Sequence, residues 1–216
     1  MHIPDGFVGP GTAAITYVAS AGMVALGARK TRQELGERQV PLMGVMAAFI
    51  FAAQMINFRV AGGTSGHLLG AALAAILLGP WSGSLVITAV LMVQALVFQD
   101  GGIMALGANV FNMAVVGIWV AWFTYQALQR LLPDEKWFWA RAFVAAWLSV
   151  VIASAAASLE LAFSGVSPLG VVLPAMVGVH VLIGIGEGLI TGAVLVFIRA
   201  SHKELLAPYA LGGGEA

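Results

Sequence analysis

Polar and apolar positions along the chain come in long blocks instead of alternating. Between Arg59 and Asp100, residues 60–99 hold no formal charge apart from what His67 can carry, and 101–129, 142–159 and 161–186 are equally free of charged side chains. A helix needs about 20 apolar residues to cross the hydrocarbon layer, whereas a barrel strand needs only about 9–11. Blocks of this length predict membrane-spanning helices, in which a chain surrounded by lipid satisfies its own backbone groups. GPWSG at 79–83 divides the longest block, and the predicted spans are 12–28, 40–57, 67–79, 83–98, 106–129, 141–164 and 170–198. The third is short and reads as a barely tilted or partly re-entrant segment. The expected fold is all-α, a polytopic membrane protein of seven transmembrane helices.

Composition points the same way. Of 216 residues, 60% are hydrophobic and only 9% charged, where a soluble domain carries about a quarter charged, so most of the surface must face lipid. The basic residues test the span count independently. With seven spans and the N-terminus outside, Arg29, Lys30, Arg32, Arg38, Arg130, Lys136, Arg141, Arg199 and Lys203 share one side and only Arg59 takes the other. That split follows the positive-inside rule and puts the C-terminus in the cytoplasm. Trp81, Trp137 and Trp139 near proposed span ends match an aromatic belt. The expected organisation is one integral-membrane unit over 1–216: an N-terminal loop 1–11, a helical bundle 12–198 and a cytoplasmic tail 199–216. The bilayer is its first partner, and no nucleic-acid partner is expected. With no cysteine, any metal must be held by nitrogen, oxygen or thioether. The nine methionines follow no repeated interval and read as packing, Met1 excepted.

Four histidines remain. His202 sits beside Lys203 at the end of the last span and needs no role. His180 and Glu187 share one face of the seventh span, two turns apart, and read as a structural polar pair closing the bundle. His67 follows AGGTSG and opens the third span, which places it at or just below the outer surface. On the same side the chain starts MHIPDGF. A free amine on Met1, the amide nitrogen of His2 and its imidazole are three nitrogens that can close a five- and a six-membered chelate ring, and His67 would complete a square. Square-planar nitrogen suits Cu(II) or Ni(II), whereas zinc prefers a tetrahedron and calcium or magnesium prefer oxygens. A bulky His2 leaves Met1 in place, and the Pro4-Asp5-Gly6 turn can fold the first residues back towards the bundle.

MHIPDG at 1–6, GGTSGHLLG at 62–70, QALVFQDGGIMALGANVFNMAVVG at 94–117 and HVLIGIGEG at 180–188 together resemble the NikM/CbiM family, the membrane-embedded substrate-capture components of nickel and cobalt energy-coupling-factor transporters. The resemblance covers nearly the whole chain. It implies a seven-helix subunit of a prokaryotic cell (inner) membrane whose N-terminal segment enters the bundle, with Ni2+, or alternatively Co2+, held by Met1, His2 and His67. It implies partners: a transmembrane coupling subunit, cytoplasmic ATPase subunits and a small accessory membrane subunit. The chain is then no enzyme and needs no cofactor of its own, and no G-x-x-x-x-G-K-[ST] pattern occurs in it. Asn57, Thr64, Ser65, Gln94, Asp100, Asn109 and Asn112 are the candidates for supporting the ligands, because a ligating imidazole normally gives its other nitrogen to an oriented partner. The competing reading is a rhomboid-like intramembrane serine protease, with Ser65 of GTSG at 63–66 as nucleophile and His180 as base.

Overall fold

The computed structural model describes residues 1–34, 39–60 and 64–206. Arg38 and the tail beyond Leu206 lie outside the described residues, as do the side chains of Arg59 and Thr64. The elements are α1 (Pro10–Glu34), α2 (Gln39–Met55), a two-stranded ribbon of β1 (Phe58–Val60) and β2 (Thr64–Gly66), α3 (Ala71–Val97), α4 (Leu106–Val110), α5 (Ile118–Leu131), α6 (Phe138–Phe163) and α7 (Leu169–Ser201). A π-helical stretch, Phe111–Gly117, joins α4 to α5 without a break in the helical rod. Among the described residues, five helices are long and apolar enough to cross a bilayer, Pro10–Gln33, Ala71–Val97, Leu106–Leu131, Glu135–Phe163 and Leu169–Ser201, and Val40–Met55 is a shorter apolar one.

The outer surface shows why these sequences hold together as they do. Val18 on α1 is 75% exposed and Leu182 on α7 is 70% exposed, positions that suit lipid tails and would be costly in water. The interior is the reverse. Every residue of Ala71–Leu78 is buried, so α3 is the central element and the other helices pack round it. The cross-chain contacts use small residues, as expected where van der Waals packing drives helix association. A Cβ on Gly184 would lie 2.9 Å from the Trp147 ring, and one on Gly188 2.5 Å from the Phe143 ring, so α6 and α7 meet along a glycine-lined seam.

Spans 67–79 and 83–98 of the sequence reading form a single element, broken at Gly79 (φ 79, ψ 168) with Pro80 next to it. The chain doubles back there. A Cβ on Gly83 would stand 3.2 Å from the carbonyl carbon of Ala74, whereas nine residues of straight helix separate two atoms by about 13.5 Å. The first arm, Ala71–Leu78, rises only about 12 Å, well short of a hydrocarbon layer of about 30 Å. It is a fully buried helical arm that packs back against the second arm, 83–97.

The turn of this hairpin reaches the end of the bundle where the basic residues gather. Thr31 near the end of α1 shares a hydrogen bond with Ser82 at 3.2 Å, and Trp81 packs edge-on against Trp119 of α5. At the same end Arg199 pairs with Glu135, and Arg141 donates to the Leu132 carbonyl at 3.1 Å. At the opposite end lie the leader 1–9, the β1–β2 ribbon and the 98–105 and 164–168 connections.

Candidate metal centre

Residues 1–9 run into the protein, not away from it. Met1 and Ile3 are fully buried and His2 is 4% exposed. Burying two such apolar side chains favours docking by about 1.5–3 kcal/mol each, but a buried backbone also needs partners. Asn109 supplies them: its Oδ1 accepts the Ile3 N–H at 2.8 Å and its Nδ2 donates to the Ile3 carbonyl at 3.0 Å. The Ile3 carbonyl takes a second bond from the Gly102 N–H at 2.9 Å. Gly102 is needed for this approach, since a Cβ there would fall 2.2 Å from Asp5 Oδ1. Asp5 in turn accepts the Met104 N–H at 2.7 Å, so the Pro4-Asp5-Gly6 turn clips the leader to the 101–104 loop.

The amine and amide nitrogens of the leader face Ser65. The Met1 amine donates to the Ser65 carbonyl and, at 3.3 Å, to Ser65 Oγ, and the His2 N–H lies 3.2 Å from the same hydroxyl. The imidazoles of His2 and His67 stack with ring centroids 4.4 Å apart and planes 21° from parallel. His67 Nδ1 donates to the Leu68 carbonyl at 2.6 Å, which fixes its tautomer, and its Nε2 is buried without a partner. His2 Nε2 lies 3.1 Å from Gln94 Oε1 and its Nδ1 lies 3.2 Å from Asp100 Oδ1, so the ring is held between the amide and the carboxylate.

Electrostatics favour the lone pairs. Burial pushes the Met1 amine well below its ordinary 8.0 despite the attraction of Asp100. Burial likewise lowers His67 well below 6.5, helped by the neighbouring amine, His2 and His180. His2 is lowered by burial, with Asp100 pulling the other way. Burial alone would raise Asp100, but His2, the Met1 amine and the Asn57 amide outweigh it and leave the carboxyl below 3.8. At neutral pH the site therefore offers neutral nitrogens next to one ionised carboxylate. Among the described residues no three His, Asp or Glu side chains converge on a common point.

Most of the sequence-derived candidates converge. Ser65, Gln94, Asp100 and Asn109 touch the leader, and Asn57 Nδ2 donates to Asp100 Oδ2 at 2.9 Å. Asn112 does not join them; its Nδ2 donates to Glu160 Oε2 at 2.6 Å. The expected pairing of His180 with Glu187 is absent. His180 Nδ1 donates to the Met176 carbonyl at 2.7 Å and its Nε2 is buried and unpartnered, while both Glu187 oxygens accept backbone N–H groups, of Leu69 at 2.6 Å and Gly70 at 2.5 Å. No Ser65–His180 hydrogen bond exists either, since neither ring nitrogen of His180 reaches that hydroxyl; a protease dyad is not formed. Sequence reasoning missed Gln54, whose Nε2 donates to the Leu69 carbonyl at 2.8 Å. A fully buried amide in an otherwise apolar helix was the available signal.

The family described as "Cobalt uptake substrate-specific transmembrane region", CbiM, matches residues 2–205. A Haloquadratum walsbyi protein named for metal transport is 42% identical over 95% of this chain and 93% of its own length. An Archaeoglobus fulgidus protein named as a fused nickel transport protein, NikMN, is 41% identical over 99% of this chain and 70% of its own length. A crystal structure of a truncated transition metal transporter superposes with a TM-score of 0.87 at 34% identity, over 94% of this chain and all of that one. With its apolar helices, its buried leader and a family match from His2 to Leu205, the chain belongs to the CbiM family of nickel and cobalt transport proteins and is a multi-pass membrane protein.

Proposed function

We propose that this chain captures Ni2+, with Co2+ as the alternative cargo, as the membrane-embedded substrate-binding subunit of an ATP-driven importer of the energy-coupling-factor type. The ligands are the Met1 amine, the His2 amide nitrogen, His2 Nδ1 and His67 Nε2 in a square-planar set. The observation that carries this reading is the buried, unpartnered His67 Nε2, in a ring stacked on His2 beside the leader's own nitrogens. A planar nitrogen field is what drives an amide to give up its proton to Ni2+, and it disfavours zinc, calcium and magnesium. A divalent ion bound to one ionised amide leaves a single positive charge, and Asp100 stands where that charge is cancelled. On ion binding, Ser65 Oγ loses the His2 amide N–H, whereas the coordinated Met1 amine keeps N–H bonds to donate, and Gln94 at His2 Nε2 holds the ring in place.

The site end of the bundle faces outward and the basic end faces the cytoplasm, a reading that the distribution of Arg and Lys supports. A transmembrane coupling subunit and cytoplasmic ATPases supply the energy. The fused Archaeoglobus relative, of which this chain spans 70%, supports a further small membrane subunit beside it. Two changes test the reading by calorimetry on the purified full chain. One extra residue before Met1 abolishes high-affinity capture, because the amine becomes an amide and the closed pocket has no room for it. His67→Ala weakens capture by an order of magnitude or more. Bound nickel is diamagnetic; unchanged affinity in both variants, or paramagnetic six-coordinate nickel, contradicts the proposal.

A further inference from the structure

His67 sits on a short irregular segment, 67–70, between β2 and α3. A ligand on such a segment is only as well placed as the segment is held. Its own side chain gives one tie, the Nδ1–H to the Leu68 carbonyl. The others come from outside. Glu187 of α7 is 3% exposed, and its two oxygens accept the N–H groups of Leu69 and Gly70 at 2.6 and 2.5 Å. Gln54 of α2 closes the opposite side through the Leu69 carbonyl. Gly70 has φ +77, and a Cβ there would stand 2.7 Å from Ile50 Cγ1, so the segment is pressed against α2 as well.

A carboxylate is an unusual choice for this task. Helix N-termini normally leave their first N–H groups to water or to a Ser, Thr, Asp or Asn cap, and Gly70, directly before α3, provides no side-chain cap. A membrane interior makes an acidic residue expensive unless it is fully paired. Glu187 is paired with two adjacent backbone donors, two and three residues after His67, although it lies 118 residues from Leu69 in the sequence. Charge-assisted bonds of this kind are short and directional. They fix the direction in which the chain leaves His67 and hence where Nε2 points.

We propose that Glu187 is a positioning residue of the ion site, holding the Leu69 and Gly70 N–H groups so that His67 Nε2 is set for the ion. The proposal rests on His67 being a ligand. Glu187→Gln replaces one acceptor with an amide donor that opposes a backbone N–H, so the segment must turn and the nitrogen moves. The test is a double-mutant cycle with His67→Ala on the full chain in detergent, reading Ni2+ affinity by competition calorimetry and the ligand-field absorption band. Glu187→Gln is expected to bind at least tenfold more weakly, with a shifted band. In the His67→Ala background the same change is expected to have no further effect, because it acts through a ring that is gone. If Glu187→Gln prevents folding, Glu187→Asp enters the same cycle, and its shorter reach is expected to give a smaller loss that again vanishes without His67. Wild-type affinity and band in the Glu187 variant, or equal losses with and without His67, overturn the proposal. Wild-type affinity in His67→Ala itself would instead overturn the ligand assignment.

Discussion

Replacing Asp100 by Asn should weaken ion capture by roughly tenfold to a hundredfold, and the size follows from its place beside His2. Asp100 Oδ1 lies 3.2 Å from His2 Nδ1, so an ion on that nitrogen sits within about 5 Å of the carboxylate. Two unit charges about 5 Å apart attract by about 3 kcal/mol at an effective dielectric of about 20. The Asp100 side chain is 19% exposed, and solvent screening reduces this to about 1.5–3 kcal/mol, where each 1.36 kcal/mol is a factor of ten. Asparagine preserves the shape and can still accept the hydrogen bond from Asn57. Competition calorimetry at fixed pH and ionic strength measures the ratio, and repeating it in buffers of different ionisation enthalpy counts released protons. Amide deprotonation should persist in the variant. An affinity within twofold of the parent would refute the charge-balance argument. Tighter binding would show that Asp100 instead competes with the ion for His2.

Acid should release the ion, and later than free chemistry suggests. Burial holds the Met1 amine below 8.0 and His67 below 6.5, so both lone pairs survive to lower pH than in a peptide. The midpoint of Ni2+ release measured against pH should lie below that of a synthetic leader peptide, and a higher midpoint would contradict the burial. The same shifts set stability: the unfolded chain binds more protons than the folded one, so leader docking gains stability as pH rises through this range and loses it as pH falls below 8.0 and then 6.5. Asn109→Ala leaves the Ile3 N–H without its partner and strips the Ile3 carbonyl of one of its two donors, a cost of about 1–3 kcal/mol for a buried group. Hydrogen exchange at Ile3 should accelerate and Ni2+ affinity should fall. Gly70→Ala combines a left-handed backbone with a clash against Ile50 and should cost about 2–4 kcal/mol, seen as a lower Tm. Adding Ile50→Ala, which removes Cγ1 and Cγ2, should relieve the clash but not the backbone strain.

Several parts of this site were readable from residue order because their chemistry is local. A chelate built from an amine, the next amide and the next imidazole involves only Met1 and His2, so no fold is needed to recognise it. Ser65, Gln94, Asp100 and Asn109 stood out because polar residues in or beside apolar blocks must find partners. Thr64 stands out on the same ground, and its side chain lies outside the described residues. Asn112 shows the limit of that logic. It is three residues after Asn109, yet the π-helical stretch that starts at Phe111 separates the two, and Asn112 turns to Glu160 of α6. His180 and Glu187 fall on one helix face by spacing, and spacing suggested a pair. Each found a closer backbone partner instead, which periodicity does not reveal.

The sequence by itself determined that the chain crosses a membrane, roughly where its long helices lie, which end gathers positive charge, and that an N-terminal chelate with His67 was chemically available. These follow from hydrophobic block length, charge placement and bond connectivity, all of which are properties of residue order. Tertiary structure decided the rest. It turned the Gly79–Pro80 break into a tight, buried hairpin, stacked His2 on His67, set Asp100 beside His2 Nδ1, and sent Glu187 to hold the segment that follows His67. Those outcomes depend on contacts between residues tens to more than a hundred positions apart, where packing and the need to satisfy buried polar groups choose among partners that the sequence leaves equal.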